Sequence, residues 1–174
     1  MKVFASCITS VYLWALGVTI GGILACGMLS APVIFNASKY LAVLEITEMT
    51  SYASGLLMTE IFVRFNYVLN AMAIFILIYE LLAFNISSKK SLFLLGVGIL
   101  SVVLIFLFTM YYTPAIVAAQ SDGAAATASE EFESIHTQSE MVFKLLLVSL
   151  SASFIWRVYL LRFAAPVATK GRKK

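Results

Sequence analysis

The sequence predicts an all-α fold: a four-span transmembrane helix bundle with an amphipathic outer helix between spans one and two. Three observations predict it. The 174-residue chain is 61% hydrophobic, has a mean hydropathy of +0.97 and is only 12% charged, about half the charged share of a soluble domain. No charged residue lies between Lys2 and Lys39 or between Lys90 and Asp122, and a helix needs roughly 20 apolar residues to cross a bilayer. Finally, the basic residues divide unevenly between the two ends of the predicted spans.

The apolar runs place spans at about 6–35, 62–84, 92–112 and 141–161, with the last helix starting near 132. They make one integral membrane domain over residues 1–174. Lys2, Lys89, Lys90, Arg157, Arg162, Lys170, Arg172, Lys173 and Lys174 fall on one side, and only Lys39, Arg64 and Lys144 on the other. Basic loops stay cytoplasmic, so both termini are expected in the cytoplasm and the protein in a bacterial inner membrane. Of the acids, only Glu80 falls on the inner side. The N-terminal run continues through "CGMLSAPVIF", past the h-region of a signal peptide. "ILAC" at Cys26 approaches a lipoprotein box, but Leu24 is too large for its place there. Cys7 and Cys26 lie on one helix, about 28 Å apart at helical rise, and cannot pair within the chain.

Span one carries Gly17, Gly21, Gly22 and Ala25, and Gly17-x-x-x-Gly21 is a small-residue face suited to close packing inside the bundle. Between spans one and two, Met49, Tyr52, Ala53, Leu56 and Leu57 recur at helical spacing, with Glu45, Thr47, Glu48, Thr50 and Ser51 opposite. This pattern predicts an outer-surface amphipathic helix that runs on towards span two. "NISSKK" is a short cytoplasmic link, "AAQSDGAAATASEE" a small polar one, and "TKGRKK" a basic tail suited to anionic lipid.

Two hairpins show a faint repeat. "TEIFVRF" (59–65) and "SEMVFKL" (139–145) both read hydroxyl, Glu, three apolar residues, base, apolar; "APVIF" (31–35) and "TPAIV" (113–117) leave spans one and three. In each of the first pair, Glu precedes the base by four residues, one turn apart on one helix face. Glu60–Arg64 and Glu140–Lys144 are therefore expected ion pairs, and Glu80 is expected to pair with Arg157 at the same depth of the bundle. Asn66 and Asn70 are expected to hydrogen-bond across the bundle. Tyr12, Trp14, Tyr79, Trp156 and Tyr159 suggest an inner aromatic belt, and Tyr111 and Tyr112 an outer one.

The stretch "ESIHTQSEMVFK" (133–144) holds His136, the single histidine. In a helix, Glu133, His136 and Glu140 share a face that Lys144 continues. A carboxylate beside an imidazole orients the ring. The same residues also suit a solvated helix start, with acids against the helix dipole. Cys26, Met28, Met49, Met58, Met110 and Met141 cluster on the outer side, and His136 with Met28, Met141 and Cys26 is a candidate copper(I) set. Methionine is equally a filler of apolar bundles. Electron-transfer haems commonly take two axial ligands, so a haem here would either pair His136 with a methionine or have a single ligand. No phosphate loop, zinc motif, catalytic triad or nucleic-acid patch is present.

"GGILACGMLSAPVIF" (21–35) resembles the first-span signature of a family of bacterial membrane proteins defined by domain of unknown function 4149, related to the eukaryotic transmembrane-protein-205 type. Gly21, Gly22, Pro32 and Phe35 match its pattern. "YYTPAIVAA" resembles the third-span exit, with Pro114. "FESIHTQS" resembles the start of the last span, with Phe132, His136 and Ser139 at the matching positions. The resemblance implies a four-span bundle and no particular activity. Similar bundles include copper-resistance D proteins and a haem-binding protoporphyrinogen oxidase, a likeness of fold alone. That oxidase family uses a first-span histidine, which this chain lacks.

The sequence therefore supports a multi-pass inner-membrane protein, not an enzyme, with an outer-face polar site of His136, Ser139, Glu133, Glu140 and Lys144. Copper or other metal handling at that face is the second reading, and a haem-linked redox protein the third. A Soret band separates the third from the others, and metal stoichiometry separates the second from the first. The lipid bilayer is the expected partner, with a homo-oligomer or another membrane protein as further candidates, and nucleic acid is not expected.

Overall fold

A computed structural model describes residues 2–41, 49–86 and 91–164, with side chains over 6–41, 49–86 and 91–161. Of the described residues 94% are helical, and none lies in a strand. Among the described residues four helices are long and apolar enough to cross a membrane: Ser6–Phe35, Ser51–Ile86, Leu92–Ser121 and Glu130–Leu161. The chain is built as a multi-pass membrane protein. Glu45, Thr47 and Glu48 of the expected outer helix, Lys89, Lys90 and the basic tail lie outside the described residues, as do the side chains of Lys2 and Arg162.

Span one is α1 (Lys2–Leu24), a π-helical turn (Ala25–Ser30) and α2 (Ala31–Phe35), and α3 (Ala37–Leu41) follows. Span two is α4 (Ser51–Ile86). Span three is α5 (Leu92–Leu107), a second π-helical turn (Phe108–Tyr112) and α6 (Thr113–Ser121). The short α7 (Ala124–Thr127) leads to α8 (Glu130–Ala164), which supplies span four. Each π turn comes just before a proline at the start of the next helix, Pro32 or Pro114. Proline has no N–H to donate, and its ring crowds the carbonyl four residues back; a wider turn relieves both. The helix therefore continues through the proline, and the two outgoing segments of the sequence repeat share this device.

The helix starts follow local chemistry. Ser91 accepts the Leu94 N–H at 3.3 Å and caps α5. Ser129 accepts the Phe132 N–H at 3.2 Å at the start of α8, where Glu130, Glu131 and Glu133 complement the helix dipole. Gly123 turns the chain after α6 with φ of +97°, a region that favours glycine.

The amphipathic helix expected before span two is, from Ser51 on, the first turns of α4. At 36 residues, α4 is about 54 Å long and overshoots a hydrocarbon core of about 30 Å. Of these turns, Ser54 and Met58 are buried against the bundle, while Leu56 and Leu57 of the apolar stripe are exposed. Ser54 donates to the Ile34 carbonyl at 3.2 Å, so packing against span one, and not apolarity alone, sets the rotation.

The spans form a ring in which one packs on two, two on three, three on four, and four on one. Both described ends of the chain lie at one end of this ring, the terminal end; the other is the distal end. Tyr12, Leu16, Leu69, Ile76, Ile105, Leu146 and Leu150 are fully buried along its axis. Hydroxyl and amide pairs join neighbouring spans: Ser101 with Ser149 at 2.8 Å and Thr109 donating to Asn70 at 2.8 Å. Such bonds hold helices together where lipid offers no hydrophobic drive. Asn66 differs from expectation, since its buried Oδ1 has no hydrogen-bond partner among the described residues.

The closest glycine contact between spans one and two is at Gly22. A Cβ there would stand 2.5 Å from the tip of the Phe65 ring, so a larger residue would force that ring to move. Gly21 has nothing within 4 Å of such a Cβ, and Gly17 meets only Phe154 of span four at 3.9 Å. The expected Gly17–Gly21 packing face is thus replaced by Gly22, one residue and about 100° around the helix.

Candidate functional site: a distal cleft and a terminal ion-pair network

Two polar assemblies occupy opposite ends of the bundle. At the terminal end, Glu80 of span two is 2% exposed. Arg157 of span four grips it as a fork: Nε donates to Oε1 at 3.3 Å and Nη2 to Oε2. Tyr12 of span one donates to Oε1 at 2.9 Å. The Tyr12 and Tyr79 rings stack 3.8 Å apart, and the Arg157 guanidinium lies over both, at 5.6 and 4.6 Å. Tyr79 donates to Thr9 at 2.9 Å. A Cβ at Gly98 of span three would stand 2.6 Å from Glu80 Cγ, so glycine there leaves room for the carboxylate. Spans one, two and four bond in this knot of charge-assisted bonds, and span three leaves room for it. Tyr12 and Tyr79 are interior members of it and not parts of a belt; Trp14, Trp156 and Tyr159 are exposed.

At the distal end the ring opens. The first π turn and α2 pack on α4, and α8 packs on α6 and the second π turn; spans one and four have no comparable contact there. Between them lies a cleft of about 750 Å³, within the range of small-molecule sites. Its walls are apolar, including Ile23, Met28, Phe62, Phe108, Phe143 and Leu147. Phe62, Phe108 and Phe143 pack their rings 4.9 to 5.5 Å apart at its base.

One edge of the cleft is polar, and α8 supplies most of it: Glu133, His136, Ser139, Glu140 and Lys144 all line it. The four-residue spacing makes a chain. His136 Nε2 lies 3.5 Å from Glu140 Oε1, and Lys144 Nζ lies 2.9 Å from Glu140 Oε2. The Phe132 ring stacks on the imidazole at 6.0 Å, and the buried Ser139 hydroxyl donates to the His136 carbonyl at 2.7 Å. About half of the His136 side chain is exposed, so the ring is held and yet reachable. On the opposite wall, Gln120 donates to Thr59 at 3.0 Å and its carbonyl accepts from Tyr52 at 2.7 Å.

The remaining sequence candidates are spread out. Glu60 and Arg64 pair at 2.8 Å on the exposed face of span two. Phe35 lines the cleft, and Pro32 and Pro114 shape its walls through their π turns. Of the metal-ligand candidates, His136 and Met28 line the cleft, Cys26 is buried in the core, and Met141 is exposed and outside the lining. Among the described residues there is no group of three His, Cys, Asp or Glu placed to hold a metal ion. The sequence pattern points to no role for Gln120, and it points to a belt for Tyr12 and Tyr79 where the structure gives them hydrogen bonds inside the bundle. Glu80 was the available signal for the tyrosines, because a buried carboxylate needs several donors.

The family described as "Domain of unknown function (DUF4149)" matches residues 14–125. This stretch covers most of span one and all of spans two and three; the α8 edge of the cleft lies beyond it. No curated protein matches the chain, and no solved structure matches it.

Proposed function

The chain belongs to the domain-of-unknown-function-4149 family, and from that premise and the cleft we propose that it is a binding protein, not an enzyme, of a bacterial inner membrane. Both termini lie in the cytoplasm and the cleft faces outward. The basic residues of the sequence support this orientation, with nine on the expected cytoplasmic side of the spans and three on the other. The observation that carries the reading is the His136–Glu140–Lys144 chain along one edge of an otherwise apolar cleft. A concave apolar site with a few converging polar groups is the usual form of a small-molecule site. Here His136 and Lys144 offer donors and Glu133 and Glu140 offer acceptors.

Accessibility of one cysteine tests both halves of the proposal. Gly27 lines the cleft, and a Cβ there meets nothing within 4 Å. Gly27→Cys, with Cys7 and Cys26 changed to Ser, is expected to react with a membrane-impermeant maleimide added outside spheroplasts. Dodecylphosphocholine added to the purified protein is expected to slow that reaction. Labelling only after lysis contradicts the orientation, and a rate indifferent to the amphiphile contradicts the binding role.

A further inference from the structure

We infer that the distal cleft takes one chain of a zwitterionic glycerophospholipid from the outer leaflet, with the headgroup held along the α8 edge. The inference rests on the binding role proposed above and names the ligand.

Three features of the cleft point to a membrane lipid. The first is the opening. Spans one and four pack together near the terminal end, where Gly17 meets Phe154, and separate at the distal end. A chain already in the bilayer can therefore enter sideways without leaving the apolar phase. The second is height. On span one the lining runs from Ile23 to Phe35, about 18 Å at helical rise and close to one leaflet of a roughly 30 Å hydrocarbon core. The third is the wall, where Phe and aliphatic side chains at depth give way to charged groups along α8 towards the distal end.

Charge selects the headgroup. The edge carries two acids, Glu133 and Glu140, against one lysine, Lys144, and His136. Glu130 and Glu131 add two more acids on the first turn of α8. An anionic head meets a net negative edge. A head with one ammonium and one phosphate meets a partner for each: Glu133 or Glu140 for the ammonium, His136 or Lys144 for the phosphate. The Lys144–Glu140 pair is exposed on both sides, so opening it to admit the head costs little. Each cross-pair formed at such an exposed edge is worth up to about a fivefold preference.

The test adds defined lipids back to delipidated protein in detergent and reads bound mass by native mass spectrometry. The probes are phosphatidylethanolamine, phosphatidylglycerol and ubiquinone. Wild type is expected to retain phosphatidylethanolamine about fivefold better than phosphatidylglycerol. Gly27→Trp, which fills the cleft, is expected to lose the bound lipid, and Met28→Trp serves as a second plug should the first fail to fold. Glu133→Gln with Glu140→Gln is expected to reverse the preference. Equal or better retention of phosphatidylglycerol by wild type, or tighter retention of ubiquinone, overturns the lipid assignment. If either plug still abolishes binding in that case, the cleft remains a binding site for another ligand. No bound mass from any probe overturns both the assignment and the binding role.

Discussion

Replacing Arg157 by Met is expected to destabilise the bundle by about 3–5 kcal/mol, the cost of removing one partner from a buried ion pair. Arg157 is the only cation bonded to Glu80 among the described residues, and Glu80 is 2% exposed. Without the guanidinium, Glu80 keeps one donor, the Tyr12 hydroxyl at 2.9 Å. Unit charges about 4 Å apart at an effective dielectric of about 20 attract by roughly 4 kcal/mol, which agrees. Adding Glu80→Gln to Arg157→Met removes the stranded charge, so the double variant is expected to be more stable than Arg157→Met alone. Tyr12→Phe removes a charge-assisted bond and is expected to cost about 1.5–3 kcal/mol. Unfolding of the detergent-solubilised protein by sodium dodecyl sulfate, followed by circular dichroism, measures all three. A cost below about 1 kcal/mol for Arg157→Met, the range of an exposed pair, would refute the reasoning. So would a double variant no more stable than the single.

The glycines give a paired prediction: Gly22→Ala is expected to cost about 1–3 kcal/mol by driving a methyl into Phe65, while Gly21→Ala is close to neutral. Comparing the two in the same unfolding assay checks which face packs. Gly98→Ala is expected to cost about the same as Gly22→Ala, because its methyl would collide with Glu80 Cγ; combining it with Glu80→Ala should recover part of that loss in a double-variant cycle. Ser149→Ala is expected to cost only about 0.6 kcal/mol, the usual worth of an interhelical bond in lipid, and its midpoint should lie near that of wild type.

Much of the fold is legible in the sequence because a bilayer leaves few choices. Long charge-free runs must be helices, since lipid satisfies no backbone group. The pairing of Glu80 with Arg157 is legible for the same reason: an acid at that depth needs a cation at the same level. What distinguishes Tyr12 from Trp14 is not legible in this way. Both are aromatic residues near the terminal end, and only helix rotation decides that one bonds Glu80 while the other meets lipid. Gly21 and Gly22 pose the same difficulty, one residue apart. The shared face of Glu133, His136, Glu140 and Lys144 follows from helical spacing. The cleft it borders does not, because it arises from the divergence of two spans that are far apart in sequence.

The central claim is that this cleft holds a small molecule, and the most direct measurement is native mass spectrometry of the protein as purified in mild detergent, wild type beside Gly27→Trp. The account predicts one bound amphiphile per wild-type chain and none on the folded variant. A wild-type chain that carries nothing, or a variant that carries the same mass equally well, would contradict it.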